Sequence, residues 1–401
     1  MAAAPDLRLS ESLFDRMKPI DVDTHVTEPR DVWTARVSKK WGDQVPHVER
    51  IDGRDLWLVG DQMIGGPGFT TAAGFKGSYP EFRNGYDDIP EASYDARARL
   101  DYMDEEGIWG AILYPNVGGF GSGGFLKLKD PRLMLECVRA YNDFLVDWCS
   151  ADPRRLAPVA AMPFWDVEAC VKEVQRAAAT GHKSILACSE PQAFGHPRLA
   201  DKHWDPFWAA VAETGLPISF HIGSGDLSDI VQDPAKIGPK ASFARVSSGV
   251  FMMNMNCIAD LIFGGVCHRY PNLNMVSVES GVAWLPSFLE GCDWQWSNGQ
   301  VRKEHPEYDL LPSEYFKRQI YGCFWFESRC LPGAVELIGD NLMWETDFPH
   351  PTCQHPGGPE GGLATHPRDY VNRVMGGLDE EKVAQILHRT AARLYGFERL
   401  V

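Results

Sequence analysis

Residues 90–114, PEASYDARARLDYMDEEGIWGAILY, contain the pattern that decides the fold. Ala96, Leu100 and Met103 recur at helical spacing, the helical pattern stops at Gly107, and residues 109–114 form an unbroken run with strand character. A strand without an alternating polar face is typical of a parallel sheet that helices cover on both sides. The stretch therefore predicts one helix and one strand of an α/β protein.

The same unit recurs along most of the chain. Strand-like runs lie at 19–23, 109–114, 157–162, 184–188, 217–220, 274–278, at the end of 313–324 and at 342–345, and helical patterns lie at 131–149, 167–179, 205–214, 247–263, 282–295, 330–338, 368–375 and 380–395. About eight strands, each followed by a helix, predict a (β/α)8 TIM barrel. We expect one domain over residues 1–401, with an insertion loop region over residues 30–90 after the first strand and with C-terminal helices.

A doubly wound open sheet is the alternative fold. No G-x-G-x-x-G follows the first strand, however, so the usual dinucleotide site of that fold is missing. The barrel is therefore preferred.

Composition limits the classes of partner. The 39 Lys and Arg residues against 55 Asp and Glu residues give a net charge of −16, which repels nucleic acid and anionic membranes. Ten cysteines without a C-x-x-C pair predict reduced, mostly buried thiols. The N-terminus lacks an apolar signal region, and no window approaches the roughly 18 apolar residues of a spanning helix. These features predict a soluble cytoplasmic protein that binds a small molecule.

Polar residues follow several predicted strands, at the face where TIM barrels place their active sites. Asp23 and His25 stand two apart on the first strand, so both side chains face the same side. His221 and Asp347 end two later strands and complete a set of nitrogen and oxygen ligands suited to Zn²⁺, Mn²⁺ or Fe²⁺. Such an ion polarises a carbonyl group or activates a bound water.

One metal ion needs only the four ligands above. The predicted rim also carries three further polar residues, Glu28, Glu279 and His350. They either support the ligands or hold a second metal, because crowded carboxylates and imidazoles repel or desolvate one another unless cations compensate. Glu190 could contribute, although a solvated loop carboxylate is the simpler interpretation. The glycine-rich segment 120–125 is interpreted as a flexible rim loop, since it lacks the lysine of a phosphate loop.

Four separated motifs resemble the amidohydrolase-related branch of the amidohydrolase superfamily, which includes aminocarboxymuconate semialdehyde decarboxylase and the dihydroxybenzoate decarboxylases. They are IDVDTHVTEP at 20–29, SFHIG at 219–223, VESGVAWLP at 278–286 and ETDFPH at 345–350. The resemblance runs from about residue 19 to 397 and implies a barrel whose metal is held by Asp23, His25, His221 and Asp347.

The chain departs from the pattern of these relatives in two places. Many relatives carry H-x-H where this chain has Asp23-Thr24-His25, which makes the site more anionic and leaves Fe²⁺ or Mn²⁺ beside Zn²⁺ as the expected ion. Where the decarboxylases place a histidine after a later strand, this chain has Glu279-Ser280. Hydrolysis therefore stays beside decarboxylation as the expected reaction.

The first hypothesis is a metal-dependent hydrolase or decarboxylase of a small organic acid or cyclic metabolite. In it His350 and Glu279 handle protons and Glu28 orients the ligands. The alternatives are a dinuclear non-haem iron oxygenase on the same barrel, with the three additional residues as ligands, and a scaffold subunit of such an enzyme. The large insertion and the C-terminal helices favour a homo-oligomer, or a hetero-oligomer with a paralogous subunit.

Overall fold

A barrel of parallel strands forms the centre of the computed structural model, which describes residues 12–60, 62–227, 230 and 233–397. In chain order the strands are β1 (Ile20–His25), β2 (His47–Ile51), β3 (Arg54–Val59), β4 (Gln62–Gly65), β5 (Gly110–Tyr114), β6 (Leu156–Ala161), β7 (Ser184–Leu186), β8 (Ile218–His221), β9 (Met275–Val278), β10 (Ile320–Phe324) and β11 (Leu342–Trp344). β1 and β5–β11 form one sheet in that order, with parallel pairing throughout. The predicted eight strands are confirmed.

The sheet closes between its first and last strands. Residues directly after β11 pair with β1: the Asp347 amide donates to the Asp23 carbonyl at 2.9 Å, and the His25 amide donates to the Phe348 carbonyl at 2.7 Å. Thr24 and Phe348 form a parallel bridge. This closure, called the seam below, completes a (β/α)8 TIM barrel.

Helices surround the barrel. Those of eight or more residues are Ala96–Glu106, Pro131–Cys149, Val167–Thr180, Asp205–Thr214, Pro239–Gly249, Phe251–Phe263, Leu285–Asn298, Pro312–Gln319, Leu331–Ile338 and Pro367–Met375. The shorter α-helices are Leu13–Met17, Pro67–Thr70, Pro234–Ile237, Val266–Arg269, Val301–Glu304, Glu380–Ala384 and Thr390–Leu394, and a π-helical turn at Gln385–Arg389 joins the last two. The 3₁₀ turns are Lys39–Gln44, Glu91–Ser93, Gly123–Leu128, Pro191–Phe194, Lys202–Trp204 and Gly339–Asn341.

One helical region begins earlier than predicted. The sequence places a helix at 247–263, but helical structure starts at Pro239, after Gly238 with a φ of 87°. Proline suits the first position of a helix, since its fixed φ is helical and its missing N–H has no helical partner. Among the described residues, Pro239–Phe263 is also the only helical stretch long and apolar enough to span a membrane, whereas the sequence analysis expected none. Met253, Cys257, Ile258 and Leu261 are buried in the protein core, so this helix packs against the barrel.

The insertion after β1 contains regular structure that the loop prediction did not anticipate. β2, β3 and β4 form a three-stranded antiparallel sheet. Asp52 and Gly53 join β2 to β3 with positive φ values of 49° and 78°. Asp-Gly is a preferred pair for such a hairpin turn, so this dipeptide was the available sequence signal.

The core has an inner and an outer part. Inside the barrel, apolar strand residues such as Ile20 and Val276 pack in one cluster with Ala391 and Phe397 from the C-terminal segment. Trp109, just before β5, contacts the rings of His388 and Phe397. The C-terminal segment therefore covers the amino end of the barrel and leaves the carboxyl end for the site.

The N-terminal residues 1–11, which carry most of the argument against a signal peptide, lie outside the described residues. Nine of the ten cysteines are buried and none forms a disulfide, which agrees with the predicted reduced thiols. The predicted oligomer stays a prediction.

Candidate metal centre

The four predicted ligands meet at the carboxyl end of the barrel, and each has 0% exposure. The Nε2 atom of His25 lies 3.4 Å from Asp23 Oδ1 and 3.5 Å from Asp347 Oδ1. The Nε2 atom of His221 lies 3.6 Å from Asp23 Oδ2 and 3.3 Å from Nε2 of His25. Residues far apart in the sequence therefore converge on one point.

The two imidazoles point their Nε2 atoms at this point. Nδ1 of His25 lies 3.0 Å from the Pro115 carbonyl oxygen, and Nδ1 of His221 lies 2.8 Å from the Ile222 carbonyl oxygen. A carbonyl oxygen only accepts hydrogen bonds, so Nδ1 carries the proton in each ring and Nε2 of the neutral ring offers its lone pair. This arrangement is typical of metal-binding histidines.

The acidic ligands also fit a cation. Neither carboxylate oxygen of Asp23 receives a hydrogen bond, although both are buried. Without a bound cation, burial would lower the pKa of His25, yet the Asp23 and Asp347 carboxylates outweigh burial and raise that pKa to about 9, so the site attracts positive charge at Nε2. Buried oxygen atoms without donors, beside two imidazole lone pairs, suit a divalent ion bound by nitrogen and oxygen ligands.

Local backbone irregularities place these side chains. β1 has one residue more than β5 between Asp21 and Thr24, because Asp21 pairs with Ala111 and Thr24 pairs with Leu113. Such a bulge re-aims side chains beside active sites. Asp347 has a φ of 61°, a conformation that is uncommon outside glycine and concentrates at functional sites.

Glu279 and His350 join the same cluster but occupy its edge. Glu279 Oε2 lies 3.4 Å from His221 Nε2, and His350 Nδ1 lies 2.7 Å from Asp347 Oδ1. Glu279 is 8% exposed and His350 is 7% exposed, whereas the four predicted ligands are fully enclosed. The two predicted proton-handling residues are thus the least enclosed members of the cluster.

Glu28 lies beside the cluster and organises the segment after β5. Its Oε1 accepts hydrogen bonds from the Asn116 amide at 2.8 Å and the Val117 amide at 3.0 Å. Burial raises the pKa of Glu28 to about 7. Asn116 Oδ1 in turn lies 2.7 Å from Nε2 of His350. Glu28 therefore reaches the ligands indirectly, which is compatible with its predicted orienting role.

The structure adds residues that the sequence analysis missed. Thr352 Oγ1 donates to Asp347 Oδ2 at 2.7 Å and lies 3.4 Å from Glu279 Oε1. The ring of Phe120 lies 4.1 Å from the ring of His221 and 5.2 Å from that of His25, measured between centroids. The proximity of Thr352 to His350 in sequence was a usable signal for the first, but nothing local identifies Phe120.

Two overlapping groups of ligand atoms could hold a metal ion: one is Asp23, His25, His221 and Glu279, and the other is His25, Glu279, Asp347 and His350. All of their members are predicted site residues, but Glu279 belongs to both groups and neither group contains Asp23 together with Asp347. Glu190 belongs to neither group and is partly exposed. The predicted second ion stays a prediction.

The family model described as "Amidohydrolase" matches residues 20–397, nearly the whole chain. The chain belongs to the amidohydrolase family. Curated relatives of this amidohydrolase include gamma-resorcylate decarboxylases. That of Rhizobium sp. (strain MTP-10005) is 26% identical over 64% of this chain and 77% of the relative, and that of Polaromonas sp. is 27% identical over 69% and 82%.

Solved structures share its fold. An amidohydrolase from Mycobacterium avium subsp. paratuberculosis superposes with a TM-score of 0.72 at 24% identity and covers 94% of this chain and 99% of its own. The 2,6-dihydroxybenzoate decarboxylase from Rhizobium superposes with a TM-score of 0.62 at 19% identity, covering 95% and 99%. A dihydroxybenzoic acid decarboxylase from Polaromonas sp., with bound manganese, has a TM-score of 0.61 at 18% identity, covering 95% and 97%.

This amidohydrolase is therefore a metal-dependent enzyme of the branch that contains decarboxylases, and the predicted family and enzyme class are confirmed. The hydrolase-or-decarboxylase hypothesis stands, and nothing in these relatives supports the iron oxygenase.

Proposed function

We propose that this amidohydrolase removes the carboxylate of a small aromatic acid as CO₂. The buried cluster of Asp23, His25, His221 and Asp347 carries the proposal, because it offers ligands for a divalent ion next to two proton-handling groups, Glu279 and His350. The names of the curated decarboxylase relatives give the expected substrate class, a hydroxybenzoate.

The roles of the site residues are assigned from how exposed each side chain is. The four enclosed residues would hold the ion, with Zn²⁺ or Mn²⁺ as the proposed metal. When bound, the ion supplies positive charge that attracts the substrate carboxylate and stabilises negative charge as it develops. Thr352 fixes the Asp347 carboxylate through its hydroxyl group. Asn116, held by Glu28, fixes the far side of the His350 ring.

Proton transfer is assigned to Glu279 and His350, the least enclosed residues of the cluster. The carboxyl group of Glu279 donates its proton to the ring carbon that carries the substrate carboxylate. The bond from that carbon to the carboxylate then breaks, its electron pair returns to the ring, and CO₂ leaves. Glu279, left as a carboxylate, regains a proton from solvent once CO₂ has left. His350 is the alternative donor.

The test is CO₂ release from 2,6-dihydroxybenzoate and 5-carboxyvanillate, measured before chelation, after chelation, and after adding back Zn²⁺, Mn²⁺ or Fe²⁺ singly. We expect chelation to abolish release and at least one ion to restore it. Elemental analysis of the purified protein identifies the ion and its number per chain. CO₂ release at an unchanged rate from the chelated, metal-free protein would refute the proposal.

Two variants assign the proton donor. Glu279→Gln keeps the side-chain size but removes the acid, so we expect a rate loss of about a hundredfold or more, the range of general acid catalysis. His350→Asn should lower the rate less and should leave the pH profile intact. A larger rate loss in His350→Asn than in Glu279→Gln would identify His350 as the proton donor.

A further inference from the structure

A cavity of about 250 Å³ lies among three loops of the barrel mouth. Its walls come from residues 68–82 of the insertion, from Lys240 and Phe243, and from residues 351–364. These segments follow β1, β8 and β11, the strands at whose ends the four ligands lie. Because parallel barrel strands end on one face, the cavity, called the mouth pocket below, and the metal centre occupy the same face.

The mouth pocket lies beside the metal centre, with Thr352 at the boundary between them. Thr352 touches Asp347 through its hydroxyl group, and its chain neighbours Pro351 and Cys353 line the pocket. Consecutive Cα atoms lie about 3.8 Å apart, so only one residue separates the pocket lining from the cluster. On the other side, the amide of Ala72, a lining residue, donates to the Pro349 carbonyl at 2.8 Å. The insertion is thus tied to the segment that bears Asp347 and His350.

Aromatic rings dominate the lining: Phe69, Phe75, Tyr79, Phe82 and Phe243. Tyr79 from the insertion stacks on Phe243 of the helix Pro239–Gly249, with centroids 5.0 Å apart and planes 12° apart. The lining also contains Glu81 and Lys240, whose opposite charges leave no net charge. Such a surface favours an uncharged, planar apolar group.

The insertion wall of the pocket is closely packed. A Cβ atom on Gly68 would lie 1.9 Å from the Arg83 carbonyl oxygen, so only glycine fits at this crossing. Arg83 also donates through Nη2 to the Ala73 carbonyl at 2.8 Å, and Ala73 lines the pocket. Contacts within the insertion therefore hold this wall of the pocket in place.

Its size sets what it can hold. An apolar cavity of about 150 Å³ is known to bind one benzene ring. The mouth pocket, at about 250 Å³, exceeds that. We propose that it receives a second ring, fused or aryl, of an aromatic acid whose carboxylate reacts at the metal centre. This rests on the proposed function and narrows its substrate class from single-ring benzoates to two-ring aromatic acids.

The experiment measures binding separately from turnover. The metal-loaded protein is titrated calorimetrically with 2-naphthoate and with benzoate, and the ratio of the two dissociation constants is compared between variants. Ala72→Phe places a ring in the pocket, and Phe243→Ala removes a lining ring from a partly exposed helix position. We expect either change to reduce the preference for naphthoate about tenfold, the scale of one lost aromatic contact.

Met63→Phe is the matched control, because it adds a ring at a 63% exposed position of the insertion away from the pocket. It should leave the ratio unchanged. An unchanged ratio in both Ala72→Phe and Phe243→Ala would overturn the assignment. Release of CO₂ from hydroxynaphthoates and hydroxybenzoates is then measured separately. If no acid of either series loses CO₂ while the binding ratio shifts as expected, the proposed reaction fails and the pocket assignment stands.

Discussion

Two buried carboxylates, Glu173 in the outer helix layer and Asp23 at the barrel mouth, both have 0% exposure but differ in their partners. Glu173 accepts hydrogen bonds from Asn142 at 2.7 Å, from Nε of Arg176 at 3.0 and 3.1 Å, and from Nε of Arg139 at 3.3 Å. Asp23 accepts none.

This difference distinguishes a carboxylate that stabilises the fold, Glu173, from a carboxylate of the candidate metal centre, Asp23. Burial raises the pKa of Glu173, but Arg176 and Asn142 outweigh it and hold that pKa below its usual value, so the protein itself supplies the compensating charge. Around Asp23 the compensating groups are two imidazoles whose Nε2 atoms face the same point. A buried carboxylate without a fixed cation costs folding free energy, and such a cost is typical of sites that await a ligand.

The largest expected effect follows from removing the Asp23 charge. Asp23→Asn keeps the shape but removes one anionic ligand, so we expect loss of bound metal and an activity loss above the roughly hundredfold limit for residues that only orient ligands. Elemental analysis and the rate of CO₂ release measure the two quantities.

Asp21→Asn is the matched control, two residues earlier on β1. Asp21 accepts hydrogen bonds from the amide and hydroxyl groups of Thr346, and the hydroxyl group can also act as acceptor for an asparagine. This variant should keep its metal. Metal retained by Asp23→Asn at wild-type affinity would contradict the functional interpretation of the mouth carboxylates.

The second prediction concerns the structural carboxylate. Glu173→Gln removes the carboxylate that faces Arg139 and Arg176, although Arg176 keeps Asp143 as a partner, and we expect a loss of about 2–3 kcal/mol in unfolding free energy. This is less than for a fully buried pair, because both arginines are partly exposed. Metal content and CO₂ release should not change. If Glu173→Gln lost metal but kept its stability, Glu173 would belong to the functional site and the contrast with Asp23 would be wrong.

The sequence was sufficient where the information is local. Asp23, His25, His221 and Asp347 were found because strand ends are visible as polar residues after apolar runs, and parallel strands end on one face. The bulge in β1 could not be read in the same way, since it depends on the register with β5. Phe120 reaches the imidazoles only through the path of its loop over the mouth, which long-range packing decides.

Arg99 is a further residue whose role the sequence pattern concealed. It lies in the helix Ala96–Glu106 and is 1% exposed. Its Nη2 donates to the His25 carbonyl at 2.7 Å, its Nη1 donates to Thr24 Oγ1 at 3.2 Å, and its guanidinium carbon lies 4.7 Å from the centre of the Phe348 ring. Arg99 therefore connects both sides of the seam where the ligands lie.

The smallest expected effect tests this positioning role. Arg99→Lys keeps the charge but loses the planar fork that contacts two groups at once. We expect metal affinity to fall about tenfold to a hundredfold, as for other residues that orient ligands, and excess metal to restore activity. Arg155→Lys is the matched control, because Arg155 also donates to two backbone carbonyls, of Ile108 and Trp109, but at the amino end of β5. Equal affinity losses in both variants would indicate that Arg99 stabilises the barrel generally, whereas a loss confined to Arg99→Lys would show that the seam geometry sets the strength of metal binding.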